Sequence, residues 1–410
     1  MLPPDLARRG MDAAAAVASR LAVIPPDSAP TQRWGPVSLA EGGSGIALTL
    51  DYLAATGGDP AWVGAGRALF RTAAHAAQAG SAPNLFDGLA GIGFVAATTD
   101  GGAAYRRLLA SVDRTLLDWL RADDTAGRDE FDVVSGLAGV GAYFLRRLDE
   151  PSGWGGLTAV VDRLLAGATV AGTAVRWPTP PDRVIGPLSD VFPDGCVNCG
   201  MAHGVPAPLA LLALAWRHGI QGDRMWCAIE GAAEWLLAAR TDDQWGPNWP
   251  AAVALPGGRG PTDPDRPTRA GWCYGTPGVS RALWLAGAAL GRDDWCDTAL
   301  ESMAAVYRRP AEVRQTCSPG LCHGASGLLH ITARFFADTG DDLFRRNAVA
   351  LAEELLSTFD PQTAYGFQNF DRGVDFDNPG FLDGAAGAAL ALAAAASSAP
   401  PRWDGALLIA

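Results

Sequence analysis

Two kinds of apolar pattern alternate along the chain. One is amphipathic at helical spacing. In Phe344-Arg345-Arg346-Asn347-Ala348-Val349-Ala350-Leu351-Ala352-Glu353-Glu354-Leu355-Leu356 the apolar side chains recur every three or four positions and the charged ones face the other way. Tyr105 to Leu120 and Trp226 to Leu237 read similarly. The other kind is apolar on every side and rich in small residues, as in Pro208-Leu209-Ala210-Leu211-Leu212-Ala213-Leu214-Ala215. A helix without a polar face is enclosed on all sides. The pattern therefore predicts an outer and an inner population of helices.

A short glycine-rich element separates the two kinds and recurs seven times: AEGGSGIAL from Ala40, FDGLAGIGF from Phe86, VSGLAGVGA from Val134, AHGVPAPLA from Ala202, CYGTPGVSR from Cys273, CHGASGLLH from Cys322 and LDGAAGAAL from Leu382. Six copies carry Gly-x-x-Gly, and the fourth has Ala207 in the second glycine's place. First glycines fall at 42, 88, 136, 204, 275, 324 and 384, at intervals of 46, 48, 68, 71, 49 and 60 residues. The shorter intervals suit one helical hairpin, two helices of roughly 15 residues with their connections.

The expected fold is all-α: outer helix, glycine-rich turn and inner helix, repeated seven times in one domain over residues 1–410. An open solenoid would end in a polar capping repeat. The last copy instead runs into the apolar stretch Ala385 to Ala396. Closure into an (α/α)7 barrel or toroid follows, with inner-helix N-termini on one rim, where loops would carry a site. Two intervals are long. The insertions 171–195 and 242–267 are rich in proline, glycine and polar residues, and read as loops or small β excursions on that rim. Both are candidates for substrate contact.

Composition narrows the class. Hydrophobic residues make up 49% and charged residues 19% of 410, enough for a large core. Net charge is −12, every basic residue is arginine and no basic stripe is present, which argues against nucleic acid. The start of the chain lacks the ordered regions of a signal peptide, and no apolar run reaches the length of a membrane span. Seven cysteines, an odd number, read as reduced thiols plus a metal site. These points put the expected location in the cytoplasm, with membrane association only through partners.

Three of the seven copies hold reactive side chains beside the first glycine: His203, Cys273, and the pair Cys322-His323. Equivalent positions in adjacent repeats lie at one height. Two thiolates and an imidazole, Cys273, Cys322 and His323, make a three-ligand zinc set that leaves a fourth position open. Cys227, Cys296 and Cys317 are expected to be small buried hydrophobes. His75, His218 and His330 are expected to be ordinary surface or core residues. Cys196-x-x-Cys199 looks like half of a structural zinc module, without a second half at suitable spacing.

From about Ser38 to Leu392 the chain resembles the lanthionine synthetase C-like family. The resemblance rests on Trp272-Cys273-Tyr274-Gly275-Thr276-Pro277-Gly278, Cys322-His323-Gly324, Asn198-Cys199-Gly200-Met201-Ala202-His203-Gly204 and Asp132-Val133-Val134-Ser135-Gly136-Leu137-Ala138-Gly139. It implies one Zn2+ on Cys273, Cys322 and His323. It also implies that His203 and Asp132 take part in proton transfer beside the metal, and that Arg269 and Tyr274 line the site. Cys196 and Cys199 depart from the family pattern, as does Ala207-Pro208 where Gly-Pro is more common.

The implied reaction is addition of a peptide cysteine thiol to dehydroalanine or dehydrobutyrine, closing a (methyl)lanthionine ring in a dehydrated precursor peptide with its leader and core. Arg269 or protonated His203 would stabilise the enolate. Asp132 would orient His203 or take the thiol proton. A separate dehydratase, and an exporter, are the expected partners. Three other readings differ in class: an enzyme adding glutathione to dehydroamino acids, a non-catalytic zinc-containing peptide-binding helical ring, and a six-hairpin ring acting on glycans. The seven-fold count and the lack of a convincing carboxylate pair on the motifs weigh against the last.

Overall fold

The computed structural model describes residues 1–77, 81–99, 104–122, 130–261, 268–371 and 374–410. After α1 (Pro4–Leu21) the chain alternates between two layers: α2 (Gly43–Ala55) and α3 (Ala61–Ala76), α4 (Leu89–Thr98) and α5 (Arg106–Arg121), α6 (Leu137–Leu145) and α7 (Pro151–Gly167). The one-turn α8 (Leu188–Val191) precedes α9 (Pro206–Arg217), α10 (Asp223–Ala238), α11 (Thr276–Leu290) and α12 (Asp293–Arg308). The one-turn α13 (Ala311–Arg314) leads to α14 (Ala325–Thr339), α15 (Asp342–Ser357) and α16 (Ala385–Ala396).

The helices that follow the glycine motifs form the inner ring. Each packs on the next, in the order α2, α4, α6, α9, α11, α14, α16 and back to α2. The two patterns separate as their chemistry requires. Every residue of α16 from Ala385 to Ala393 is buried, whereas the outer α5 buries Leu109, Val112, Leu116 and Leu120 along one stripe. Each buried leucine contributes roughly 2 kcal/mol of transfer free energy.

The hairpins are offset by one helix from the order in which the repeat reads. Each outer helix packs on the inner helix before it, such as α3 on α2 and α12 on α11, because the connection between them is short. The first outer helix, α1, therefore has no preceding inner helix and packs on α16. The two ends of the chain together complete the seventh hairpin and close the ring.

The small β excursions are present. β1 (Thr169–Ala171) and β2 (Ala174–Arg176) form a hairpin in the first insertion, followed by β3 (Cys196–Asn198). In the second, β4 (Thr241–Asp243) pairs with β5 (Gly246–Asn248). β6 (Ala252–Ala254) runs antiparallel to β3 with Val253 opposite Val197, so the second insertion is joined to the strand that follows the first. Residues 262–267 of the second insertion lie outside the described residues. A further hairpin, β7 (Gln368–Asp371) with β8 (Val374–Asp377), occupies the 60-residue interval before the last motif. Among the described residues, no helix is long and apolar enough to cross a membrane.

Candidate metal centre

The motif turns are stitched together at one level of the rim. Cys273 N–H donates to Cys322 O (3.0 Å), Cys322 N–H to Leu382 O (2.9 Å), and Leu382 N–H to Ala40 O (3.0 Å). Ala202 N–H donates to Cys273 O (3.2 Å). All of these residues stand two places before the first glycine of their motif. Equivalent positions thus become backbone neighbours.

Two glycines make this approach possible. Gly275 has φ +96°, a left-handed conformation that side chains resist, and a Cβ there would lie 1.8 Å from Arg269 O. A Cβ on Gly200 would lie 2.3 Å from Cys273 O.

Cys273, Cys322 and His323 offer ligand atoms that all lie within 4.8 Å of one another. The sequence placed these three together, and they are together. Their donor chemistry fits a borderline-soft ion such as zinc. The hydrogen bond from Cys322 lowers the Cys273 thiol below its usual range; burial opposes this, and His323 and Arg269 assist. The same bond, with burial, pushes Cys322 up. Burial works against a charged His323, but its hydrogen bond with Cys273 and the nearby Asp383 raise it above an ordinary histidine.

His203 and Asp132 form a second unit. His203 Nδ1 lies 2.7 Å from Asp132 Oδ2, and Ser135 N–H donates to Asp132 Oδ1 at 2.6 Å. Both carboxylate oxygens are engaged, which leaves Nε2 as the free nitrogen of the ring. Tyr274, the residue after Cys273, lines one cleft with this unit. Its hydroxyl accepts a hydrogen bond from Asn198 Nδ2 (3.0 Å), and burial raises its pKa, so the phenol is neutral. Asp132, Ser135, Asn198, His203, Tyr274 and Cys196 line a cleft of about 100 Å³. Past Glu130, Phe131 and Thr179 this continues into a larger cleft of about 420 Å³, bordered by Arg183 of the first insertion.

Asp383 is a site neighbour that the sequence reading passed over. Its Oδ1 lies 3.6 Å from His323 Nδ1 and is buried without a hydrogen-bond partner. The signal was available: Glu41, Asp87, Ser135, His203, Tyr274, His323 and Asp383 all occupy the position before the first glycine. Burial and the Asp383 charge raise the Glu41 carboxyl, so these acids share one stretch of rim.

Among the described residues Cys196 and Cys199 belong to no metal-capable group. Burial pushes Cys196 up to about 11 and Cys199 further, which keeps both as thiols. Cys227 and Cys317 are solvent-exposed, not buried as expected, since their helix and loop positions face outward. His330 is a fully buried member of an ionic network.

Among the described residues, a ring of seven inner and seven outer helices with this site on its rim defines a class, and comparison identifies it. The family described as lanthionine synthetase C-like protein matches residues 33–408, and the chain belongs to that family. The nisin biosynthesis protein NisC of Lactococcus lactis subsp. lactis is 25% identical over 300 residues, 69% of this chain and 70% of that protein. The solved structure of nisin cyclase shares the fold, with a TM-score of 0.73 at 20% identity over 92% of each chain.

Proposed function

We propose that the chain is a zinc-dependent lanthipeptide cyclase, acting on a precursor peptide that a separate dehydratase has already modified. The observation that carries this reading is the convergence of Cys273, Cys322 and His323 within 4.8 Å, on the rim that also holds the hydrogen-bonded His203–Asp132 pair. Family membership supports the cyclase class. Zinc, when bound, would lower the pKa of an incoming cysteine thiol so that the sulfur is presented as a thiolate.

The chain's own groups account for the proton. Asp132 holds Nδ1 of His203, so Nε2 is the nitrogen that exchanges protons with substrate. In this reading Nε2 takes the proton of the substrate thiol. The sulfur then bonds to the β-carbon of dehydroalanine or dehydrobutyrine, and the carbon–carbon π pair moves towards the carbonyl. Arg269, whose charge already acts on Cys273 and Cys322, would stabilise the enolate. Nε2 then returns its proton to the α-carbon. Tyr274, neutral and fixed by Asn198, lines the cleft as a positioning hydroxyl.

The addition is an isomerisation. A dehydrated precursor with free cysteines should therefore lose alkylatable thiols at unchanged mass when incubated with the protein. A parallel incubation with glutathione separates this from intermolecular addition, which would add the mass of glutathione. Thiols that remain fully alkylatable in the precursor would refute the proposal.

A further inference from the structure

We propose that residues 401–409 are a positioning element for the metal centre, acting through Trp272 on Cys273. The inference rests on the metal reading above.

This segment lies outside the repeat and fills the axis of the ring. Its sequence, Pro401-Arg402-Trp403-Asp404-Gly405-Ala406-Leu407-Leu408-Ile409, begins polar and ends apolar, and Trp403, Asp404 and Leu408 are fully buried. Inner helices from five repeats meet it. The Trp403 ring packs on Tyr52 of α2 (6.4 Å) and on His330 of α14 (4.4 Å). The turn Arg402–Leu407 packs on α4 and α6. Ile409 O accepts from Nε of Arg281 on α11 at 2.6 Å.

Charge fixes the depth of the segment. A buried carboxylate is tolerated only when paired. Asp404 Oδ2 accepts from His330 Nε2 (2.7 Å) and from Arg334 Nε (2.5 Å). Arg281 in turn meets Asp338 at 2.6 Å. Sliding the segment by one residue would break the pairs of Asp404 and the Arg281–Ile409 bond in the core.

The segment reaches the residue next to a candidate ligand. Leu407 O accepts a 2.9 Å hydrogen bond from Nε1 of Trp272, the residue before Cys273, and both partners are buried. Just beyond, Leu408 takes φ +54°, a left-handed conformation that non-glycine residues resist. That strain, held by complete burial of Leu408, turns the chain where the carbonyl is offered to Trp272. Cys273 is then held twice, through the anchored Trp272 beside it and by its own bond to Cys322 O (3.0 Å).

Trp272→Phe keeps the ring and removes only the N–H. Tyr307→Phe is the control: it deletes another side-chain hydrogen bond, the half-buried one to Thr332 (2.8 Å), which involves no residue of the segment. Two readouts are compared, the alkylation rate of Cys273 in metal-free protein by peptide mapping, and zinc affinity by chelator competition. Trp272→Phe should raise the alkylation rate and weaken zinc binding, each about tenfold. Tyr307→Phe should leave both unchanged. If Trp272→Phe lowers only the unfolding midpoint, the outcome expected of Tyr307→Phe, the segment is merely structural and the proposal is wrong. If the wild type takes up no zinc, the metal reading fails, and the alkylation arm alone decides the positioning claim.

Discussion

Asp132 holds His203 through Nδ1 at 2.7 Å while its second oxygen is held by the Ser135 amide at 2.6 Å. The carboxylate is fixed by the turn of the third repeat and fixes in its turn a ring on the fourth. Asp132→Asn keeps the shape but offers Nδ1 an amide that can donate, which favours the wrong tautomer. Cyclisation should fall about 100-fold, measured as thiol loss by mass spectrometry, with metal content unchanged. A wild-type rate would remove Asp132 from the mechanism.

Asp383 should matter to the metal and not to the proton. Its buried Oδ1 stands 3.6 Å from His323 Nδ1 with no other partner. Carboxylates beside a ligating imidazole orient it and raise its basicity. Asp383→Asn should weaken metal affinity about tenfold in a chelator competition. An unchanged affinity would make Asp383 only one of the rim acids.

Gly275 is set by backbone geometry. With φ +96° and Arg269 O in the place of a Cβ, Gly275→Ala forces the turn that carries Cys273 to move. Denaturant unfolding should show a loss of about 3 kcal/mol, accompanied by reduced metal uptake. A loss below about 1 kcal/mol would mean the turn adapts freely.

The buried network also sets an acid limit. Burial lowers the pKa of His330, against the pull of its bond to Asp404, because Arg334 and Arg281 already balance Asp404 and Asp338. A histidine kept neutral in the fold takes up its proton on unfolding, so stability falls as pH drops below the unfolded value of about 6.5. Between about pH 7.5 and 5.5 the unfolding free energy should fall by roughly 1 kcal/mol. In His330→Gln that slope should flatten; an equal slope would assign the acid sensitivity to other groups.

What was legible in the sequence followed from repetition. Seven glycine motifs and the switch from amphipathic to fully apolar segments are enough to give a closed two-layer ring, because only an enclosed helix can dispense with a polar face. The three candidate ligands were legible for the same reason, since shared register becomes backbone adjacency. The offset of the hairpins was not, because it depends on which connection is short in space. Residues 401–409 have no counterpart in the repeat, so neither their place on the axis nor the Trp272–Leu407 bond could be read from a period. Asp383 was in register throughout, but an acid before a glycine looks like any other rim residue until His323 is seen beside it.

The central claim is that Cys273, Cys322 and His323 hold a catalytic zinc ion. Metal analysis of the purified wild type beside Cys322→Ala tests it most directly. The wild type should carry about one zinc per chain and the variant almost none, since two ligands no longer close the site. Full zinc retention by Cys322→Ala would contradict the account.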